Sequence, residues 1–192
     1  MVTGHFGLAA GVKAYERFVP LWALMVATVW LDILFAPFWA AGVEDIEDVP
    51  GTDGGYGNVI IHADYTHSLI GAAVIAAVTG LLVVRWWGRL GGIVIGAVVF
   101  SHWILDLIVH RDDMPIIPGD PGAGTVGFGL WKVEWAAITA EALLLAIGAL
   151  LYWRAARQVS VAAGQPTRRA DLAASVLFLS GAIVLATDVA VA

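Results

Sequence analysis

Long apolar runs separated by short polar clusters dominate the chain. Five runs reach the roughly 20 residues that a helix needs to cross about 30 Å of hydrocarbon. They cover about 18–42, 64–84, 90–110, 131–153 and 171–191. This pattern predicts an all-α fold, a polytopic membrane helical bundle with five transmembrane helices. A short N-terminal helix precedes them. Its run GHFGLAAGV is too short for a comfortable span, so it reads as re-entrant, as a short span, or as an interfacial helix anchored by Lys13 and Arg17. The connection RWWGR between the second and third runs is short enough to make them an antiparallel hairpin. Gly92 and Gly96 form a GxxxG pair suited to close helix packing. Residues 43–58 and 111–130 read as outer loops. The second holds PGDPGAGTVGFG, which lacks the Lys-Ser/Thr ending of a phosphate-cradling loop and reads as an ordered cap or a flexible lid.

Composition sharpens this picture. Of 192 residues, 60% are hydrophobic and 14% charged, and mean hydropathy is +0.84, far from a soluble domain. So little mass lies between the runs that residues 1–192 form a single transmembrane helical domain. A net charge of −6 argues against nucleic acid as a partner. The absence of cysteine excludes disulfides and thiolate metal sites.

The basic residues orient the chain. With the N-terminal segment cytoplasmic or re-entrant, Lys13, Arg17, Arg85, Arg89, Arg154, Arg157, Arg168 and Arg169 lie inside and only Arg111 and Lys132 outside, as the positive-inside rule requires. Trp39, Trp131 and Trp135 are expected at the outer interface, and Trp86, Trp87 and Trp153 at the inner one.

Ionisable groups inside the runs are costly and therefore informative. His102, Asp106 and His110 are spaced four apart and share one helix stripe. At about 1.5 Å per residue they descend from the outer surface to a depth of about 12 Å. Asp32 lies in the outer third of the first run and His67 one turn inside the second; Glu141 sits deep in the fourth, with Glu134 two turns above. Segments 18–31, 71–84, 90–101, 142–153 and 172–187 contain no Asp, Glu, His, Lys or Arg. The polar groups therefore make a pocket that opens outward and ends near the midplane.

Imidazoles and carboxylates on converging helices are the ligand set for a divalent transition metal, zinc first among them. His102 and Asp106 can hold one ion together, and His67 can add a third ligand. Asp32 or Glu141 can then serve as general base or orient a ligand. His110, beside Arg111, Asp112 and Asp113, suits either an interfacial role or a ligand. His62 reads as solvated. Ser68 and Ser101 lack the Gly-x-Ser-x-Gly elbow of a serine hydrolase.

Several motifs also resemble a known family. GHF at 4–6, WLD at 30–32, YTHSL at 65–69, SHWILDLIVHRDDMP at 101–115 and the GFGLW run leading to Glu141 resemble small bacterial integral membrane proteins labelled metal-dependent hydrolase or permease. They are distantly similar to the YdjM-like inner-membrane hydrolases. The resemblance spans residues 4 to about 157. It implies site roles for Asp32, His67, His102, Asp106 and His110, with Glu141 beside them, and it adds His5 as a candidate ligand. Where the family shows His-Arg-Gly before its Thr-His-Ser and a Pro-Asp pair on the first long helix, this chain reads HADYTHS and LDILF. No ligand role for His62 follows.

Together these readings predict a membrane-embedded, metal-dependent hydrolase with an outward-facing His/Asp site. Its expected substrate is a lipid or another amphiphile taken from the surrounding membrane lipid. The alternatives are a small permease, which calls for polar groups through the cytoplasmic half and usually an inverted repeat, and a non-catalytic metal-binding or assembly protein. Oligomeric state is not encoded in any feature of the sequence.

Overall fold

The computed structural model describes residues 2–52 and 54–190; residue 191, at the edge of the fifth expected span, lies outside them. Six helices carry most of the chain: α1 (Val2–Tyr15), α2 (Leu21–Thr28), α3 (Trp30–Ala40), α4 (Leu69–Val109), α5 (Glu134–Ala162) and α6 (Arg168–Ala190). Three of them, α4, α5 and α6, are long and apolar enough to cross a membrane, and the bent pair α2–α3 makes up to four. Large apolar side chains such as Leu81, Leu90, Ile93 and Ile183 point out of the bundle, as a hydrocarbon surround demands.

The first expected span is two helices. α2 and α3 meet at a 47° bend, with Val29 at φ −116° and ψ 19° between them. Neither Gly nor Pro marks this break, so hydrophobic patterning alone runs straight through it.

The expected short connection RWWGR is tighter than a loop: helix continues on both sides of Gly88, which alone leaves the helical region at φ 68°, ψ −178°. A non-glycine residue adopts that φ only with strain. The chain doubles back there, since a Cβ on Gly92 would lie 2.6 Å from the Gly80 carbonyl oxygen and one on Gly96 would lie 3.1 Å from that of Ala76. In a straight helix residues 76 and 96 would stand about 30 Å apart. Ser68 starts α4, its hydroxyl accepting the Gly71 N–H at 3.2 Å.

α1 is no interfacial helix. Thr3, Gly4, His5, Gly7, Ala9 and Ala10 are buried, and Gly7 meets Gly148 of α5 backbone to backbone, leaving no room for a side chain on either. The Glu16 carboxylate accepts the N–H groups of Phe18 and Val19 at 2.8 and 2.6 Å. Lys13 donates to the Val19 carbonyl at 2.9 Å, and together these close the turn into α2.

The segments 43–63 and 111–130 form ordered hairpins where loops were expected, so the fold is helical with two small sheets. β1 (Asp45–Asp48) pairs antiparallel with β2 (Val59–His62). β3 (Met114–Ile117) pairs antiparallel with β4 (Asp120–Val126). Trp131, expected at the lipid interface, is instead buried against His110, ring centroids 4.4 Å apart. Trp39 and Trp135 are exposed as expected of anchors.

Candidate metal centre

The second limb of α4 carries His102 and Asp106 one turn apart, and both are buried. The α2–α3 bend turns the Thr28 carbonyl toward His102, whose Nδ1 lies 2.7 Å from it. A carbonyl oxygen only accepts, so Nδ1 carries a hydrogen, and in the neutral ring Nε2 keeps its lone pair. His67 enters from the turn before α4. Its Nδ1 is 2.9 Å from Thr66 Oγ1, and that hydroxyl donates to the Glu44 carboxylate at 2.9 Å. With its own hydrogen committed, the hydroxyl accepts from Nδ1, and His67 Nε2 is likewise left bare.

The two bare nitrogens face each other. His67 Nε2 and His102 Nε2 are 3.1 Å apart, and Asp32 Oδ1 lies 3.4 Å from the first and 3.3 Å from the second. Asp106 Oδ2 stands 3.0 Å from His102 Nε2 and 3.8 Å from His67 Nε2. Four acceptor atoms therefore converge in a region from which water is largely excluded. Such a set is satisfied only by a cation, either protons on the imidazoles or a metal ion. Donors on a tetrahedral zinc at about 2.0–2.1 Å are spaced about 3.3 Å apart. The edges of 3.1, 3.3 and 3.4 Å fit that spacing without rearrangement.

Access is one-sided. The side chains of His67, His102 and Asp106 are 6%, 1% and 5% exposed, whereas that of Asp32 is 45% exposed. The cluster thus opens along α3, with Phe35 packed edge-on to His67 at 6.0 Å.

The remaining expected residues take other places. His5 Nε2 faces the His102 carbonyl at 3.4 Å and Asp106 Oδ1 at 3.5 Å. Both are acceptors, which suits a hydrogen on that nitrogen and makes His5 a support for Asp106. A second trio, His5–His102–Asp106, also has its ligand atoms within 4.8 Å of one another. It shares His102 with the first, and one imidazole nitrogen serves one ion, so the two trios are alternative seats. His110 is buried at the C-terminal end of α4, its Nδ1 donating to Asp113 at 3.1 Å and its Nε2 3.9 Å from Asp106 Oδ2. His62 is half exposed, 3.5 Å from Glu47 and apart from the cluster.

Glu141 is buried but directed elsewhere. It accepts from Tyr56 Oη at 2.6 Å and from Gly4 N at 3.2 Å, so it seats the first turn of α1 just ahead of His5. Burial, then the hydrogen bond to this carboxylate, pushes the Tyr56 phenol above its ordinary range.

Glu44, Thr66, Thr28 and Asp113 are the participants that sequence reasoning missed. Thr66 lies within the YTHSL motif, which was the available signal. Glu44 sits in an acidic stretch whose neighbours Asp45, Glu47 and Asp48 are exposed, and nothing local distinguishes it. Comparison with known proteins finds no matching family, no matching curated relative and no matching solved structure.

Proposed function

We propose that the chain is an inner-membrane protein crossing five times, with the bent α2–α3 pair as one crossing and the two limbs of α4 as two. On this reading it is a metal-dependent hydrolase whose site faces outward. The observation that carries the metal reading is the convergence of His67 Nε2, His102 Nε2 and Asp32 Oδ1 with edges of 3.1–3.4 Å. Asp106 supplies a fourth ligand atom, the second oxygen, with its Oδ2 3.0 Å from His102 Nε2. Zinc suits a set of two imidazoles and two carboxylates, and when bound it supplies Lewis acidity to a reacting group.

The chain's own residues do the rest. Thr28 and Thr66 hold the two imidazoles in one tautomer, and His5 steadies Asp106. Asp32, the one half-exposed member, lies where a substrate would enter and can take up a proton there. The motif resemblance points the same way, toward hydrolysis of a lipid or amphiphile that reaches α3 from the outer leaflet.

A closed, structural ion is the second reading, favoured by the fourth donor Asp106. A permease is disfavoured by the apolar cytoplasmic halves, which offer nothing to replace the hydration of a charge. Metal analysis of detergent-purified protein tests the proposal, with about one zinc per chain as the expected result. Metal-free protein of normal stability would end it.

A further inference from the structure

Glu44 is a buried carboxylate on the outer side of the bundle, 1% exposed, in the stretch between α3 and β1. No basic side chain is paired with it among the described ion pairs. Three donors hold it. Its Oε1 accepts the backbone N–H groups of Tyr65 and Thr66, both at 2.8 Å, and its Oε2 accepts the Thr66 hydroxyl at 2.9 Å. A buried carboxylate is costly unless its environment is built for it, and this one lies a single hydroxyl away from an imidazole nitrogen.

We propose that Glu44 is a positioning residue of the metal centre, acting through Thr66 to fix the tautomer and direction of His67. This rests on the metal reading given above. An ionised carboxylate only accepts, so it consumes the Thr66 hydrogen, and Thr66 Oγ1 then accepts from His67 Nδ1. The consequence is an Nε2 lone pair aimed at His102 and Asp32. Metal-binding histidines ordinarily have their second nitrogen bonded to a carboxylate or carbonyl, directly or through a bridging group. Here His102 has the Thr28 carbonyl and His67 has a carboxylate one hydroxyl removed. The other reading of Glu44 is that it merely ties down the turn before α4 through the two backbone amides.

The two roles separate on substitution. In Glu44→Gln an amide oxygen still serves both backbone N–H groups, but an NH2 group now meets the Thr66 hydroxyl. The hydroxyl becomes an acceptor from that amide and turns its own hydrogen toward His67 Nδ1. His67 must then carry its hydrogen on Nε2, where the ion would sit. Thr66→Val removes the link altogether, and Thr66→Ser restores it.

The experiment uses the full chain purified in detergent, stripped of metal and titrated with Co2+, whose absorption reports ligand geometry. Glu44→Gln and Thr66→Val are expected to weaken Co2+ binding by about 10–100-fold, with Thr66→Ser within about threefold of wild type. In metal-free protein labelled with 15N-histidine, His67 should carry its hydrogen on Nδ1 in wild type and on Nε2 in Glu44→Gln. Wild-type affinity in both Glu44→Gln and Thr66→Val would overturn the proposal. So would an Nε2–H tautomer in wild type. If Glu44→Gln does not fold, the Val and Ser variants at Thr66 decide the matter. Wild type that binds no Co2+ overturns the metal reading instead, and the tautomer measurement still decides the role of Glu44.

Discussion

The two ends of the α4 hairpin are built to opposite rules. Near Gly88 its limbs touch backbone to backbone, through Gly80, Gly92 and Gly96, and segments 71–84 and 90–101 carry no ionisable side chain. At the opposite end the space about the same limbs is filled by His67, His102 and Asp106. One end has no room for chemistry and the other is filled with it. Small residues bring helices to a fixed, close separation, so the contact near Gly88 is expected to set the spacing at which His67 and His102 meet. A polar cluster without such a clamp could spread to relieve the repulsion of four acceptors.

The comparison assumes that the cluster lies at the outer face, and labelling tests that on an all-or-none scale. A single cysteine at Gly122 should react with an impermeant thiol reagent on intact cells, and one at Gln165 should not. The reverse pattern would exchange the two ends.

His102→Ala should next abolish metal binding, lowering the content from about one ion per chain to near zero by elemental analysis. His62→Ala should leave it unchanged, because His62 faces Glu47 at 3.5 Å and stands apart from the cluster. Equal loss in both variants would place the ion elsewhere.

Gly92→Leu addresses the clamp directly. Its side chain would enter the space of the Gly80 carbonyl, and such overpacking costs about 1–3 kcal/mol. Thermal unfolding in detergent should shift downward, and Co2+ affinity should fall with it. A lower Tm with unchanged affinity would show that the inner end does not set the outer spacing.

The smallest effect is expected at Glu141. Glu141→Gln replaces a charge-assisted hydrogen bond from Tyr56 by a neutral one, a loss of about 1 kcal/mol. The variant should keep its metal, since Glu141 seats α1 and not the ion. Loss of the ion would instead make Glu141 part of the centre.

The sequence carried much of this because burying a charge in hydrocarbon is costly. His102 and Asp106 stood out against apolar neighbours, and helical spacing placed them on one face. The turn at Gly88 and the close packing of Gly92 and Gly96 were legible as a short connection and a small-residue pair. Three features were hidden. The break after Thr28 has no proline or glycine to announce it, and its effect is to turn a carbonyl toward His102. Glu44 looks like any solvated acid until its loop is folded under. Glu141 has the right depth for the cluster, but depth along a helix does not reveal which way a side chain leans. Hydrophobic patterning reports burial, and these three depend on direction.

The meeting of Gly7 with Gly148 also has a consequence for the order of assembly. The contact joins residues about 140 positions apart, and Glu141 takes hold of Gly4 across a similar interval. Asp32, His67 and His102 are all synthesised long before α5. The chain therefore makes these three residues early and completes the packing around α1 late, because α5, which meets α1 through Gly148 and Glu141, follows them in the chain. Contacts so distant in sequence are slow to form. A chain interrupted before residue 134 would hold the trio yet lack the helix against which α1 docks. Ribosomes stalled at that length should carry nascent chains in which His5 is reactive toward a histidine-modifying reagent, with protection appearing only after α5 has been made.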